Sequence, residues 1–195
     1  MAGKTTVACT PEQYEELITT IYHGIGTAIK PNPRIAAILE IQANTGLRLG
    51  DVLLLERGSI IKDGNRYRFD ITEEKTKKKR TFMVPNPVYD FIEDYCIENG
   101  IIQGEIIFPV TKRAVQKHLA KVVDYLGYGN NISTHSFRKR FASEVYEKSG
   151  NDIELVRRLL QHSSVAITSR YIGISDKKTE SVLSECVSLV NHKAG

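Results

Sequence analysis

The chain has few cysteines and no long apolar run, and both shortages narrow what it can be. Its 195 residues include three cysteines, Cys9, Cys96 and Cys186. They lie far apart, are odd in number, and no pair has metal-ligand spacing. Free thiols in a reducing compartment fit better than a disulfide framework or a zinc site. No stretch is long and apolar enough to span a bilayer. The first residues, MAGKTTVACT, lack the hydrophobic stretch of a signal peptide. A cytoplasmic protein without a membrane segment is expected. Internal repeats and long low-complexity segments are missing too. Charge of one sign is in short supply: 27 basic against 23 acidic residues leave a net charge of +4. That balance permits a nucleic-acid partner without requiring one.

What remains is a foldable chain of 41% hydrophobic and 26% charged residues, enough for one domain of usual size or slightly more. Residues 1–10 read as a flexible leader. Thr10, Pro11 and Gln13 then form a helix start, with a capping hydroxyl, a proline in the first turn and a Gln three residues on. That helix runs to about His23, with Tyr14, Leu17, Ile18 and Ile21 on one face. A second helix is expected over 34–44, with Ile35, Ile38, Leu39 and Gln42 near one stripe, and a third over 49–55. The period then changes. Residues 59–62, 66–71 and 80–84 read as short strands, the first two joined by a hairpin turn at Asp63-Gly64-Asn65. Helical patterns resume over 88–99, 111–126, 135–149, 151–161, 163–170 and 175–191. The fold class expected is mainly α (α+β), a helical domain with a small three-stranded antiparallel sheet.

Three features carry chemistry. In the stretch LLQHSSVAITSRY, His162 stands nine residues before Tyr171. His135 and Arg138 lie three apart at a helix start behind Ser133 and Thr134, which sets both on one face near a helix N-terminus, a place favourable to phosphate. Lys75-Thr-Lys-Lys-Lys-Arg80 puts five basic residues in six positions. Arginines, histidines and one tyrosine can attack a phosphodiester: fixed guanidinium forks hold the charge that builds on the phosphoryl oxygens, a hydroxyl attacks, and an acid protonates the leaving group. Taken singly, each has a plainer reading. H-x-x-R is a weak motif, Arg48 would be an exposed turn arginine, His162 a helix-capping histidine and Tyr171 a core aromatic. Lysine runs are usually solvated loops, and Tyr14, Tyr89, Tyr95, Tyr125 and Tyr146 are better explained as packing.

Read together and in order, Arg48 in TGLRLGD, a lysine in a hairpin, HxxR, LLQHSS and a tyrosine nine residues beyond the histidine resemble the tyrosine recombinase (phage integrase) family. The resemblance covers about residues 11–191 and implies that family's catalytic-domain fold. It implies a site-specific recombinase or integrase that cleaves and rejoins double-stranded DNA through a 3′-phosphotyrosyl intermediate, with no metal, ATP or other cofactor. By the same resemblance Arg48, Lys75, His135, Arg138, His162 and Tyr171 match its six active-site positions. Tyr171 would attack, Arg48 and Arg138 would clamp the phosphoryl oxygens, and His162 would hydrogen-bond the same phosphate. Lys75 would protonate the departing 5′-oxygen, and His135 would assist proton transfer at the tyrosine. Lys77, Lys78, Lys79 and Arg80 would contact DNA phosphates, and Asp51 would buttress Arg48.

The sequence departs from the family at Gln161, where Gly is common, and at Lys139, where His is common. The usual N-terminal helical domain is not recognisable within these 195 residues, so 11–195 is expected to be the catalytic domain. Val182, Leu183, Cys186, Val187 and Val190 recur at helical spacing. The helix 175–191 would pack on its own domain or, as in the family, dock on a neighbouring subunit of a homo-oligomer, a tetramer on DNA. Such a protein would lie in the cytoplasm, associated with the nucleoid through DNA. Two rival functions share these residues: a type IB topoisomerase, and a DNA-binding module of the same fold without activity.

Overall fold

The structure, a computed structural model, describes residues 6–75, 77–129 and 131–173. Eleven elements run in the order α1 (Pro11–His23), α2 (Pro33–Thr45), α3 (Leu49–Val52), β1 (Ile60–Asp63), β2 (Arg66–Thr72), β3 (Lys79–Val84), α4 (Asn86–Glu98), α5 (Lys112–Tyr125), α6 (Thr134–Lys148), α7 (Ile153–Leu160) and α8 (Val165–Ile172). The expected helical architecture with one small antiparallel sheet, ordered β1-β2-β3, is present. No helix among the described residues is long and apolar enough to cross a membrane.

Local chemistry sets the boundaries. Thr10 and Gln13 form a reciprocal capping box at the start of α1, with side-chain bonds of 3.2 and 3.1 Å. Ser133 caps α6 the same way, its hydroxyl accepting from the His135 N–H while Ser136 Oγ accepts from the Ser133 N–H. Gly64 supplies the positive φ that the tight β1–β2 turn needs. Residues 6–9 are tied to the body. The Val7 N–H donates to the Asn131 carbonyl at 3.1 Å, and Cys9 is buried in the core. The expected helix 175–191 lies outside the described residues.

Two readings change. The expected helix over 49–55 closes after one turn, at Val52, and the chain turns through Leu53 and Leu54. And α2 does not show one stripe. Ile35, Ala36, Ala37, Ile38, Leu39, Ile41, Gln42, Ala43 and Thr45 are all buried, because α1 and α6 both pack on it. Ala36, Ala37 and Ala43 leave room for that approach. The main core gathers α1, α2, α4, α5 and the inner face of the sheet. A smaller cluster, Ala142, Val156 and Leu160 with Phe141, Val145, Tyr146, Tyr171 and Ile172 against it, joins α6, α7 and α8. The pocket described next opens beside that second cluster.

Candidate active site

Arg48, Lys75, His135, Arg138, His162 and Tyr171 line one cavity of about 780 Å³. They come from the α2–α3 turn, the β2–β3 hairpin, the first turn of α6, the α7–α8 turn and the last turn of α8. Lys78, Lys79, Arg157, Arg158, Gln161, Ser163 and Ile167 complete its wall.

The base of the site is built on the C-terminus of α7. The last carbonyls of a helix lack partners within it and carry partial negative charge. Here two buried arginines take them. Arg80 donates to the Leu159 carbonyl, and Arg138 donates to Leu160 O at 2.8 Å and to the Gly46 carbonyl. Burial lowers the Arg138 pKa to about 10, against the raising influence of Tyr171 and Asp51. Gly46 must be glycine on two counts: its φ is +64°, and a Cβ there would meet the Phe141 ring at 2.4 Å. Gln161 ends α7 in the left-handed region at φ +52°. That conformation explains why glycine suits this position, and it turns His162 into the pocket.

Arg48 is held by carboxylates. Its guanidinium lies 2.8 Å from Glu73 Oε2 and 3.8 Å from Asp51 Oδ2, and both acids are buried. Asp51 also accepts the Glu74 N–H at 2.8 Å, so the buttressing acid ties the hairpin loop to the Arg48 turn. The loop itself closes through the Glu73 N–H to the Lys78 carbonyl and the Lys77 N–H to the Glu73 carbonyl, each 3.0 Å. Lys75, Lys77, Lys78 and Lys79 are exposed.

Arg80 is not among the exposed cations, contrary to the expected phosphate-binding role. It is buried, 3.4 Å from Glu73 Oε1, with its guanidinium 4.2 Å above the Phe82 ring. The strand alternation decides this, since β3 turns position 80 inward and 79 and 81 outward.

Tyr171 and the two histidines face these arginines. The Tyr171 hydroxyl is buried and without a hydrogen-bond partner among the described residues. Burial raises its pKa, and the Arg138 and Arg48 charges pull against that rise. The His162 ring meets the Tyr171 ring edge-on at 5.1 Å, and its Nδ1 is 3.1 Å from Thr168 Oγ1. Desolvation and then Arg138 and Arg48 lower the His162 pKa to about 4. The His135 pKa is lowered by partial desolvation in the pocket and by the same arginines, with Lys139 and Lys75 adding to it. Lys139 Nζ sits 5.2 Å from the Tyr171 ring centroid and donates to the Thr6 carbonyl at 2.7 Å.

Sequence reasoning missed Glu73, Thr168 and the pair Arg157–Arg158. Arg157 donates to the His162 carbonyl at 2.8 Å and so braces the turn. A charged EEK run reads as solvated loop, and nothing local in it signals that its first acid is buried. For Arg157 and Arg158 a signal existed: they sit one helical turn before His162.

The same arrangement of helices around a small sheet occurs in solved tyrosine recombinases. The catalytic domain of bacteriophage HP1 integrase matches with a TM-score of 0.64 and 19% identity, over 92% of this chain and 94% of that one. XerH site-specific recombinase, bound to palindromic difH substrate in a post-cleavage complex, matches with a TM-score of 0.68 and 19% identity, over 93% of this chain and 53% of that one. The fold is therefore that of a tyrosine recombinase catalytic domain. The phage integrase family model matches residues 8–178, and the chain belongs to that family. Among curated relatives, probable integrase/recombinase YoeC of Bacillus subtilis (strain 168) is 32% identical over 144 residues, covering 70% of this chain and 75% of that protein. Tyrosine recombinase XerC of Bradyrhizobium diazoefficiens is 27% identical over 155 residues, covering 74% of this chain and 47% of that protein. The match thus spans about half the length of that XerC relative.

Proposed function

We propose that this chain carries the catalytic centre of a site-specific DNA recombinase that cuts and rejoins double-stranded DNA through Tyr171. The carrying observation is the convergence of six side chains from five separate segments on one cationic cavity beside a buried tyrosine hydroxyl. Tyr171 Oη attacks the scissile phosphorus and becomes a 3′-phosphotyrosyl ester, while the bond to the 5′-oxygen breaks. Lys75 gives that oxygen its proton. Arg48, and the Arg138 N–H groups beyond those used on Gly46 and Leu160, hold the phosphoryl oxygens. His135 assists removal of the tyrosine proton. His162 hydrogen-bonds the phosphate; burial first, and then Arg138 and Arg48, lower the imidazole pKa in the DNA-free protein, and the phosphate's negative charge offsets the arginines' part. The ester conserves the energy of the broken bond, so rejoining needs no ATP.

Lys77, Lys78 and Lys79 track the flanking phosphates. On DNA the active unit is a homo-oligomer, a tetramer, joined through 175–191; the helical spacing of apolar residues in that segment supports this, and sedimentation of DNA complexes of the full chain against a chain ending at Gly173 tests it. Retention of the larger assembly by the shortened chain would remove the segment from that role.

The test of activity uses nicked suicide duplexes drawn from the DNA flanking the gene. Wild type is expected to trap covalent DNA and Tyr171→Phe none. Trapping by neither would favour a binding module of the same fold. Rapid relaxation of supercoiled DNA without paired sites would favour a type IB topoisomerase. Lys75→Ala should recover cleavage on a substrate with a 5′-bridging sulfur, a leaving group that needs little protonation; no recovery would move the general acid to a neighbouring lysine.

A further inference from the structure

Two consecutive acids, Glu73 and Glu74, stand at the base of the loop that carries Lys75, and they face opposite ways. Glu74 is on the surface, where its carboxylate meets the Lys112 ammonium. Glu73 is fully buried and lies between two arginines, 2.8 Å from Arg48 Nη1 through one oxygen and 3.4 Å from Arg80 Nη1 through the other. Its main chain closes the loop at both ends, through the Lys78 carbonyl and the Lys77 N–H. Burying a carboxylate is costly unless its charge is matched. Two guanidinium groups match this one, and Arg80 is anchored in turn on Leu159 at the end of α7. A single residue therefore joins the α2–α3 turn, the hairpin loop and the α7 terminus, three of the segments that line the cavity.

We propose that Glu73 is a positioning residue for strand cleavage, which fixes the Arg48 fork and the Lys75 loop relative to one another before DNA arrives. This rests on the cleavage reading given above. Glu73 is too buried to reach a phosphate itself, so it acts through Arg48 and the loop. With the carboxylate on one guanidinium nitrogen, the remaining N–H edge of Arg48 is presented in a set direction. Without it, the ion pair left to Arg48 among the described residues is the longer contact to Asp51, and its fork can swing. A displacement of about 1 Å at a reacting centre can cost about 10²-fold in rate.

The experiment measures single-turnover cleavage of the nicked duplex with protein in excess, together with DNA affinity and amide hydrogen exchange across residues 73–79 of the DNA-free protein. Glu73→Gln is expected to cleave about 10–100-fold more slowly, to bind DNA within about threefold of wild type, and to exchange faster across 73–79 while α2 amides stay protected. In an Arg48→Lys background the same substitution should cost less than about threefold further, as two residues acting as a unit are non-additive. Glu73→Asp keeps the charge beside Arg80 but a methylene further from Arg48, and supplies a second folded variant expected to lose about tenfold. Three outcomes would overturn the assignment: wild-type cleavage by Glu73→Gln, an undiminished loss in the Arg48→Lys background, or unchanged exchange in the loop. If wild type itself traps no DNA, the cleavage reading falls, and the exchange data alone decide whether Glu73 holds the loop.

Discussion

Two cationic regions face the same cavity and are built on opposite terms. At its base, Arg138 and Arg80 are buried, each fastened to a main-chain carbonyl at the end of α7, and Arg48 is fastened to Glu73. At its rim, Lys75, Lys78 and Lys79 stand exposed on the hairpin, with Lys77 exposed beside them. A guanidinium can give some of its five N–H groups to the protein and still offer others to a phosphate, so it can be preorganised. An ammonium on a flexible stem gives charge without direction. The base is suited to the reacting phosphate, whose charge must be met in one geometry, and the rim to flanking phosphates and to a mobile proton donor.

Several substitutions would break or sharpen that contrast, beginning with the largest effect. Arg138→Ala should lower single-turnover cleavage about 10²–10³-fold, the loss seen when one preorganised donor is removed from an oxyanion site. It should also destabilise the fold, because the Gly46 and Leu160 carbonyls lose their donor, at about 1–3 kcal/mol for each buried group left unpaired; chemical denaturation measures this. Unchanged stability would mean that these carbonyls find other partners.

Charge removal at the rim should behave differently. Lys77→Gln with Lys79→Gln should flatten the slope of log K against log salt by about 1.8, or about 0.9 for each phosphate no longer neutralised, with little change in melting temperature. Arg80→Gln should do the reverse, lowering stability while leaving the salt slope alone. A flattened slope in Arg80→Gln would place that residue on the DNA after all.

The pH dependence of stability separates the regions further. His162 binds its proton at about 4 in the folded protein against 6.5 ordinarily, so between those values the unfolded chain binds a proton that the folded chain does not. Stability should therefore fall as pH drops from 6.5 towards 4, and His135 adds in the same direction. His162→Asn should show a shallower decline in melting temperature over that window, and an identical decline would remove the histidine as its source. The smallest effect concerns the α7 turn. Gln161→Gly should stabilise by about 0.5–1 kcal/mol, since glycine adopts positive φ without the steric cost of a side chain.

Much of this contrast is legible in the sequence, but unevenly. The ordered motifs pick out six of the residues that line the cavity, and periodicity with capping residues places the described helices and strands to within a few residues. Arg80 groups with the lysines because a run of five cations looks uniform, yet period-two alternation in β3 sends that one side chain inward. Glu73 escapes notice because burial of an acid depends on arginines 25 residues before and seven after it. A single stripe on α2 misses Ala36, Ala37 and Ala43, since small residues mark a buried helix only once its neighbours are known.

Attachment of DNA to one side chain separates this chemistry from that of a binding module with the same fold. Mass spectrometry of the adduct trapped on a nicked suicide duplex reads this directly. A nucleotide 3′-phosphate is predicted on Tyr171, in the peptide ending α8, and on no other tyrosine. An adduct on another residue, or one that persists in Tyr171→Phe, would contradict it.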